Sequence, residues 1–342
     1  MEFKREPIFS GAIRSLIKAI GVVLGIAIGV AVAAAGFAIV VGPNYLPPKS
    51  TPMIMPDVQG NRDLLPATDP AILCIDFRGE IGMGDLTSEK IINLLLDSQE
   101  DMLKGRVKGV FLCMDSPGGA AFDSDTIYRN LMAYKEKYKV PIYAYVDGLC
   151  ASGGMFIACA ADKIYASPSS IIGSVGVLMG PAFNFSGAMA KYGVNALTLT
   201  AGKDKDELNP FRPWRADEGE SRQKITAALY DQFVSIVVAA RPRLSRQQLV
   251  DSYGAHIFIA QEAEKLGYVD SSDSDYSQAL RALVQAAQIE EGKPYQVIRL
   301  TPPRSLFSGI AKILSPVKAV QSALGLGKHE EFAGKFLYYY QP

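Results

Sequence analysis

The sequence predicts an α/β domain with a mainly parallel sheet, preceded by one membrane-spanning helix. Between residues 71 and 292, apolar runs rich in β-branched residues alternate with helix-period segments, as in strands joined by crossover helices. Two neighbouring runs end in glycine turns, "DSPGG" at 115–119 and "ASGG" at 151–154, at the strand ends where α/β folds place their sites. Ahead of them, residues 19–42 hold 24 positions without a charge. At 1.5 Å per helical residue that run is about 36 Å long, enough for a bilayer core of about 30 Å.

The elements follow in order. Lys4, Arg5, Arg14 and Lys18 outnumber Glu2 and Glu6 before the apolar run, so residues 1–18 should stay in the cytoplasm. The run exceeds a signal-peptide core of about 7–15 residues and reads as an uncleaved anchor over 19–42. Gly21, Gly25 and Gly29 recur every fourth residue within it, a stripe that lets helices approach closely and is also ordinary in membrane helices. Residues 43–70 are rich in Pro, Asp and Asn and read as a linker. A catalytic-sized domain spans 71–292. Its expected strands are 71–81, 107–119 and 141–150. A helix starts at Thr87 or Ser88, and the next carries Ile127, Leu131 and Tyr134 on its apolar face. Small residues at 151–161 suggest a closely packed helix. A long amphipathic helix over 217–240 should bury Ile225, Leu229, Phe233, Ile236 and Val237. A short helix ends at Gly267. Residues 293–342 form a tail that could be amphipathic on a membrane surface or pack on a neighbouring subunit.

Lys+Arg and Asp+Glu are both 35, so no basic excess points to nucleic acid. Cys74, Cys113, Cys150 and Cys159 lie in apolar segments and are expected to be buried free thiols. No motif suggests a metal or cofactor. With two histidines, His256 and His329, a Ser-His-Asp triad has one weak candidate base. If Ser152 is a nucleophile, a desolvated lysine is the next choice of base. Lys163, Lys191, Lys203 and Lys205 are candidates that the residues alone do not separate. Asp204 and Asp206 flank Lys205 and would tend to keep it protonated.

The segments "DSPGGAAFDS", "YVDGLCASGGMFIACAADKIYASPSSIIGSVGV" and "LTAGKDKDELNP" resemble the signature segments of the signal peptide peptidase A (protease IV) family, membrane-anchored Ser/Lys peptidases. The resemblance covers about residues 72–270 and is to the short, single-repeat type. It implies a Clp-protease/crotonase-like fold with Ser152 as nucleophile, Lys205 as general base and Ser174 as the residue that orients it. Lys203 is the near miss. It also implies an oxyanion hole from Gly153 with Gly118 or Gly119, and a peptide groove bordered by residues 170–177, with Ser170, Ile171, Ile172, Gly173 and Val175 as substrate-binding residues. The family often has tyrosine near position 155, where this chain has Met155. The implied function is an endopeptidase of the bacterial inner membrane that cleaves hydrophobic peptides, such as remnant signal peptides, outside the cytoplasm. The expected assembly is a homo-oligomeric ring with sites shared between subunits. The alternatives are an inactive membrane scaffold on the same fold and a crotonase-like acyl-thioester enzyme.

Overall fold

A computed structural model describes residues 8–41, 49–301 and 337–339. The chain divides into two compact units, Met1–Pro48 and Lys49–Pro342. The described residues of the first form helix α1 (Ile8–Val41). Among the described residues no helix is long and apolar enough to cross a membrane. The expected span at 19–42 lies partly outside them, because Gly42 and several side chains of α1 are not described.

In the second unit the elements run β1 (Thr51–Met55), β2 (Ala71–Arg78), α2 (Ser88–Asp97), β3 (Val107–Ser116), β4 (Gly118–Ala120), α3 (Ala121–Tyr138), β5 (Ile142–Ala151) and α4 (Gly153–Ala158). Then follow β6 (Lys163–Ala166), β7 (Ile171–Gly173), α5 (Ser186–Lys191), α6 (Glu220–Ala240), β8 (Ile257–Ile259), α7 (Ala260–Leu266), α8 (Tyr276–Ala286), β9 (Gln296–Thr301) and β10 (Leu337–Tyr339). The main sheet has the order β1-β9-β2-β3-β5-β7-β8, with β6 also on β5. The pairs among β9, β2, β3, β5, β6 and β7 are parallel. The edge strands β1 and β8 are antiparallel.

Strand periodicity explains the layering. Along β2, Leu73, Ile75 and Phe77 point into the larger core with α2, α3 and α4. Ile72 and Cys74 point the other way, onto Leu280 and Leu283 of α8. Both faces are covered, so the central strands read as continuous apolar runs.

Three expectations about boundaries need correction. Residues 51–55 are not all linker, and 296–301 are not tail. They pair as β1 and β9, because β9 closes the free edge of β2. Residues 118–120 form a short strand, not only a turn. On α6, Phe233, Val234 and Val237 are buried, whereas Ile225 is 45% exposed. The first turns of this helix extend past the core, and no residue from 176 to 232 is fully buried.

Candidate active site

Ser152 is the single residue between β5 and α4. Its backbone holds φ 54° and ψ −117°, a left-handed conformation that costs a residue with a Cβ roughly 1–3 kcal/mol. Its N–H donates to the Gly173 carbonyl at 2.9 Å. Its Oγ is buried and has no hydrogen-bond partner among the described residues. A hydroxyl held without a partner at a strained strand-to-helix corner is the placement a nucleophile requires.

The glycine turn of the neighbouring strand comes to the same spot. Ser116 Oγ donates to the Gly79 carbonyl at 2.6 Å and accepts the Gly118 N–H at 3.2 Å. The Ile81 N–H donates to the Gly118 carbonyl at 2.8 Å, and the Ala120 N–H donates to the Ile81 carbonyl at 2.9 Å. Backbone groups of successive strand residues face opposite edges, so Gly119 presents its N–H and C=O to the other side, toward β10. A Cβ on Gly118 would stand 2.0 Å from the Tyr338 carbonyl oxygen, 2.6 Å from the Gly153 nitrogen and 3.0 Å from Ser152 Cβ. A Cβ on Gly153 would stand 2.5 Å from Ser124 Oγ and 2.9 Å from the same Tyr338 oxygen. The structure therefore gathers Gly153, Gly118 and Gly119 at Ser152. Because the Gly118 N–H is taken by Ser116, the turn's amide that faces the cleft is that of Gly119.

The other expected residues divide. Ser174 follows Gly173, is nearly buried, and donates its N–H to the His256 carbonyl at 2.7 Å. Val175 is buried and borders a groove of about 330 Å³ together with Val177, Thr226, Ala227 and Tyr230. Residues 170–173 do not present a free edge, a correction to the expected groove. Ile171, Ile172 and Gly173 pair with β5 on one side and with Ile257–Ile259 on the other. Ser170 is buried and braces the end of β5, donating from Oγ to the Val146 carbonyl at 2.9 Å. Strand β8 occupies the second edge of β7.

Lys205 lies in an exposed turn whose N–H donates to the Gly202 carbonyl at 3.4 Å. It does not reach Ser152 Oγ within the chain. Its flanking carboxylates are committed elsewhere. Asp206 pairs with Arg212 at 2.6 Å and Asp204 with Arg215 at 2.7 Å. Arg212 also pairs with Glu218 at 2.7 Å and holds that carboxyl down at about 2. Lys205 itself makes no ion pair among the described residues.

All four cysteines are buried and free. Burial pushes the Cys150 thiol well up, so it does not compete with Ser152 as a nucleophile. Cys74, Asp76 and Cys113 bring possible metal-ligand atoms within 4.8 Å of one another. Arg299 pairs with Asp76 at 2.8 Å, and its positive charge opposes a cation there. Sequence reasoning missed Ser116, Ser124 and Tyr338. The first two lie beside the glycine motifs. Tyr338 belongs to an unpatterned "LYYY" whose only signal is aromatic strand propensity.

Comparison with known proteins matches two family models: Peptidase family S49 over residues 134–290 and Clp protease over 76–174. The architecture is accordingly a Clp-protease-like α/β fold with a mixed, mostly parallel sheet. A protein of Methanocaldococcus jannaschii, provisionally named a protease, is 37% identical over 198 residues, covering 58% of this chain and 61% of that protein. A provisionally named signal peptide peptidase SppA of Enterococcus faecium is 32% identical over 182 residues, 53% of this chain and 51% of that one. With these two the chain therefore shares only half to three fifths of their length. A provisionally named protease of Synechocystis is 32% identical over 264 residues, and there the match covers 75% of this chain and 91% of the relative. With Ser152 before a double glycine at the strand-to-helix corner and a relative matched over nearly its whole length, the chain belongs to peptidase family S49.

Proposed function

We propose that this protein is a serine peptidase in which Ser152 attacks the peptide carbonyl and Lys205 of a neighbouring copy acts as the base. The observation that carries the reading is the state of Ser152 Oγ. It is buried and unpartnered at a strained corner beside the Gly118, Gly119 and Gly153 backbone, while Lys205 stands exposed and out of its reach. An unmade hydrogen bond to a buried hydroxyl costs about 1–3 kcal/mol, which a lysine arriving from outside the chain would recover. Residues around Lys205 are suited to a subunit contact. Leu197 and Leu199 are 84% and 85% exposed, and Phe183, Tyr192 and Phe211 are also exposed, an apolar surface of the kind that marks an interface.

The chemistry balances with these groups. The neutral Lys205 amine takes the Ser152 Oγ proton as Oγ bonds to the carbonyl carbon. The Gly119 and Gly153 N–H groups stabilise the oxyanion. The C–N bond then breaks, and the Lys205 ammonium returns its proton to the leaving amine. Water, deprotonated by Lys205, attacks the acyl-enzyme ester. It releases the carboxylic acid and restores Ser152. Ser174 hydrogen-bonds and orients the lysine.

Substrates are hydrophobic peptides such as remnant signal peptides, cleaved outside the cytoplasm of a bacterium. Helix α1 anchors the protein in the inner membrane, its N-terminus in the cytoplasm. Leu16, Ile20, Val23, Ile28 and Val32 of that helix all face outward, and the uncharged run at 19–42 is long enough to span. Carbonate extraction of membranes tests the anchor, and recovery of the chain in the soluble fraction would refute it. The activity is tested by peptide hydrolysis with the full chain: Ser152→Ala should lose roughly 10⁴-fold or more in kcat/KM, and undiminished cleavage would overturn the assignment.

A further inference from the structure

Residues 203–207 read Lys-Asp-Lys-Asp-Glu, yet among the described residues neither lysine pairs with a carboxylate. An arginine from further along the chain takes each carboxylate instead. Asp204 accepts from Arg215 Nη2 at 2.7 Å and Asp206 from Arg212 Nε at 2.6 Å, and Glu207 lies 3.4 Å from Arg222 Nε. In a plain solvated charge run the nearest cations, Lys203 and Lys205, would serve as well. The turn is held in this arrangement. Arg212 forks between Asp206 and Glu218, and its Nη2 also donates to the Asp206 carbonyl at 2.9 Å. On either side of Lys205, Asp204 and Leu208 hold φ 59° and 61°, left-handed conformations that persist only where their surroundings fix them. The Leu208 N–H donates to Glu218, whose side chain is 3% exposed.

We infer that Arg212 and Arg215 are positioning residues for the base: by taking up Asp206 and Asp204, they keep the two carboxylates beside Lys205 from holding its amine protonated. The inference rests on Lys205 being the base. An ammonium cannot take the Ser152 proton, and a carboxylate beside a lysine favours the ammonium. An arginine offsets that influence at every working pH, because its guanidinium does not deprotonate. A lysine in its place would titrate in the same range as Lys205 itself. The Arg212 guanidinium holds the Asp206 carboxyl below the usual carboxylate range, so both members of that pair stay charged and offset each other. The other carboxylates packed against the turn are also engaged. Glu207 accepts the Ser221 N–H at 3.2 Å, Asp217 lies 3.5 Å from Arg215, and Glu218 lies between Arg212 and Arg215. Lys203 adds a positive charge on the turn itself. Water screens all of these charges while the turn is exposed. Under a covering copy they act through a lower dielectric, and an unpaired carboxylate weighs more.

The test is kcat/KM for peptide hydrolysis against pH, with the full chain and its variants. Arg215 is exposed over 44% of its side chain, so Arg215→Gln leaves the fold in place. The unaltered chain should gain activity as the pH rises and the base loses its proton. Arg215→Gln should move that rise upward by about half to one pH unit, a loss of roughly 3–10-fold below it, with the high-pH plateau kept. Adding Asp204→Asn should return the rise to its place, because the uncompensated carboxylate is gone. For Arg212 the parent is Glu218→Gln, which removes the other carboxylate that Arg212 serves. Adding Arg212→Gln to that parent should move the rise upward again, and Asp206→Asn should restore it. A loss of equal size at every pH, or no rescue by the asparagines, overturns the inference. Lys205→Ala separates the inference from the reading it rests on. If that variant is inactive while the arginine variants keep the unaltered profile, the base stands and the inference falls. If it cleaves normally, both fall.

Discussion

The two halves of the candidate dyad are built in opposite ways. Around Ser152 order comes from burial: Cys150, Ala151, Met155, Phe156 and Ile157 are all fully buried, and two glycine turns bring backbone into close approach. Around Lys205 order comes from charge. Asp204, Asp206, Glu207 and Glu218 are each paired with Arg212, Arg215 or Arg222, and none of residues 176–232 is fully buried. The first half is finished within the chain. The second holds its shape while its apolar side chains face outward. Under the proposed function, a pair divided in this way would be silent in the single chain and completed by contact with another copy.

The largest effect that would break this comparison is genetic complementation in vitro. Ser152→Ala and Lys205→Ala should each be inactive alone, and co-assembly of the two should restore measurable peptide hydrolysis, because a serine of one variant meets a lysine of the other. No recovery, despite mixed assemblies detected by native mass spectrometry, would place the dyad within one chain. Lys203→Ala should remain active in the same assay. Loss of activity there would transfer the base assignment to Lys203.

The next effect concerns the buried half. Gly118 has φ 94°, and a Cβ there would lie 2.0 Å from a backbone oxygen. Gly118→Ala should cost roughly 1–3 kcal/mol in thermal unfolding and about 100-fold or more in kcat/KM. Unchanged kinetics would remove this turn from the oxyanion site.

A smaller effect concerns the charged half. The Arg212 guanidinium holds Glu218 at about 2, below its ordinary 4.5. A carboxyl with a lowered folded value contributes stability that is present above pH 4.5 and lost as the pH falls toward 2. Hydrogen-exchange protection of residues 204–222, the measured rate taken relative to the intrinsic rate at the same pH, should therefore be kept at neutral pH and fall between about pH 4 and 2. Glu218→Gln should flatten that dependence, and an identical pH profile in the variant would show the pair to be idle. The smallest effect is expected at Cys150→Ala, which should cost about 1 kcal/mol of stability through a small cavity with kcat unchanged. A loss of activity matched to thiol modification would make Cys150 a participant.

Legibility in the sequence followed the range of the interactions. The alternation of apolar runs gave the parallel strands and their helices, because strand and helix periods are local. Thr87 is the N-cap of α2 as its neighbours suggest, its hydroxyl accepting the Lys90 N–H. The convergence of Gly118, Gly153 and Ser152 was legible as two glycine turns on consecutive strands, since parallel neighbours bring their ends together. By contrast, the exposure of Ile225 depends on where the core stops along α6. The placement of residues 170–173 inside the sheet depends on β8, some 85 residues further on. No periodicity reports either.

By itself, then, the sequence determined an α/β chain, a serine followed by two glycines, and a shortage of histidine that directs attention to lysine. These are properties of composition and short spacing. Only the tertiary structure decided that the Gly119 amide, not that of Gly118, faces the cleft, that β7 has no free edge, that Lys205 does not reach Ser152 within the chain, and that Tyr338 fills the pocket beside it. Each of these depends on which backbone groups and surfaces are already occupied by residues far away in sequence. Occupancy is a property of the packed molecule, because a hydrogen-bonding edge or an apolar pocket can be filled only once.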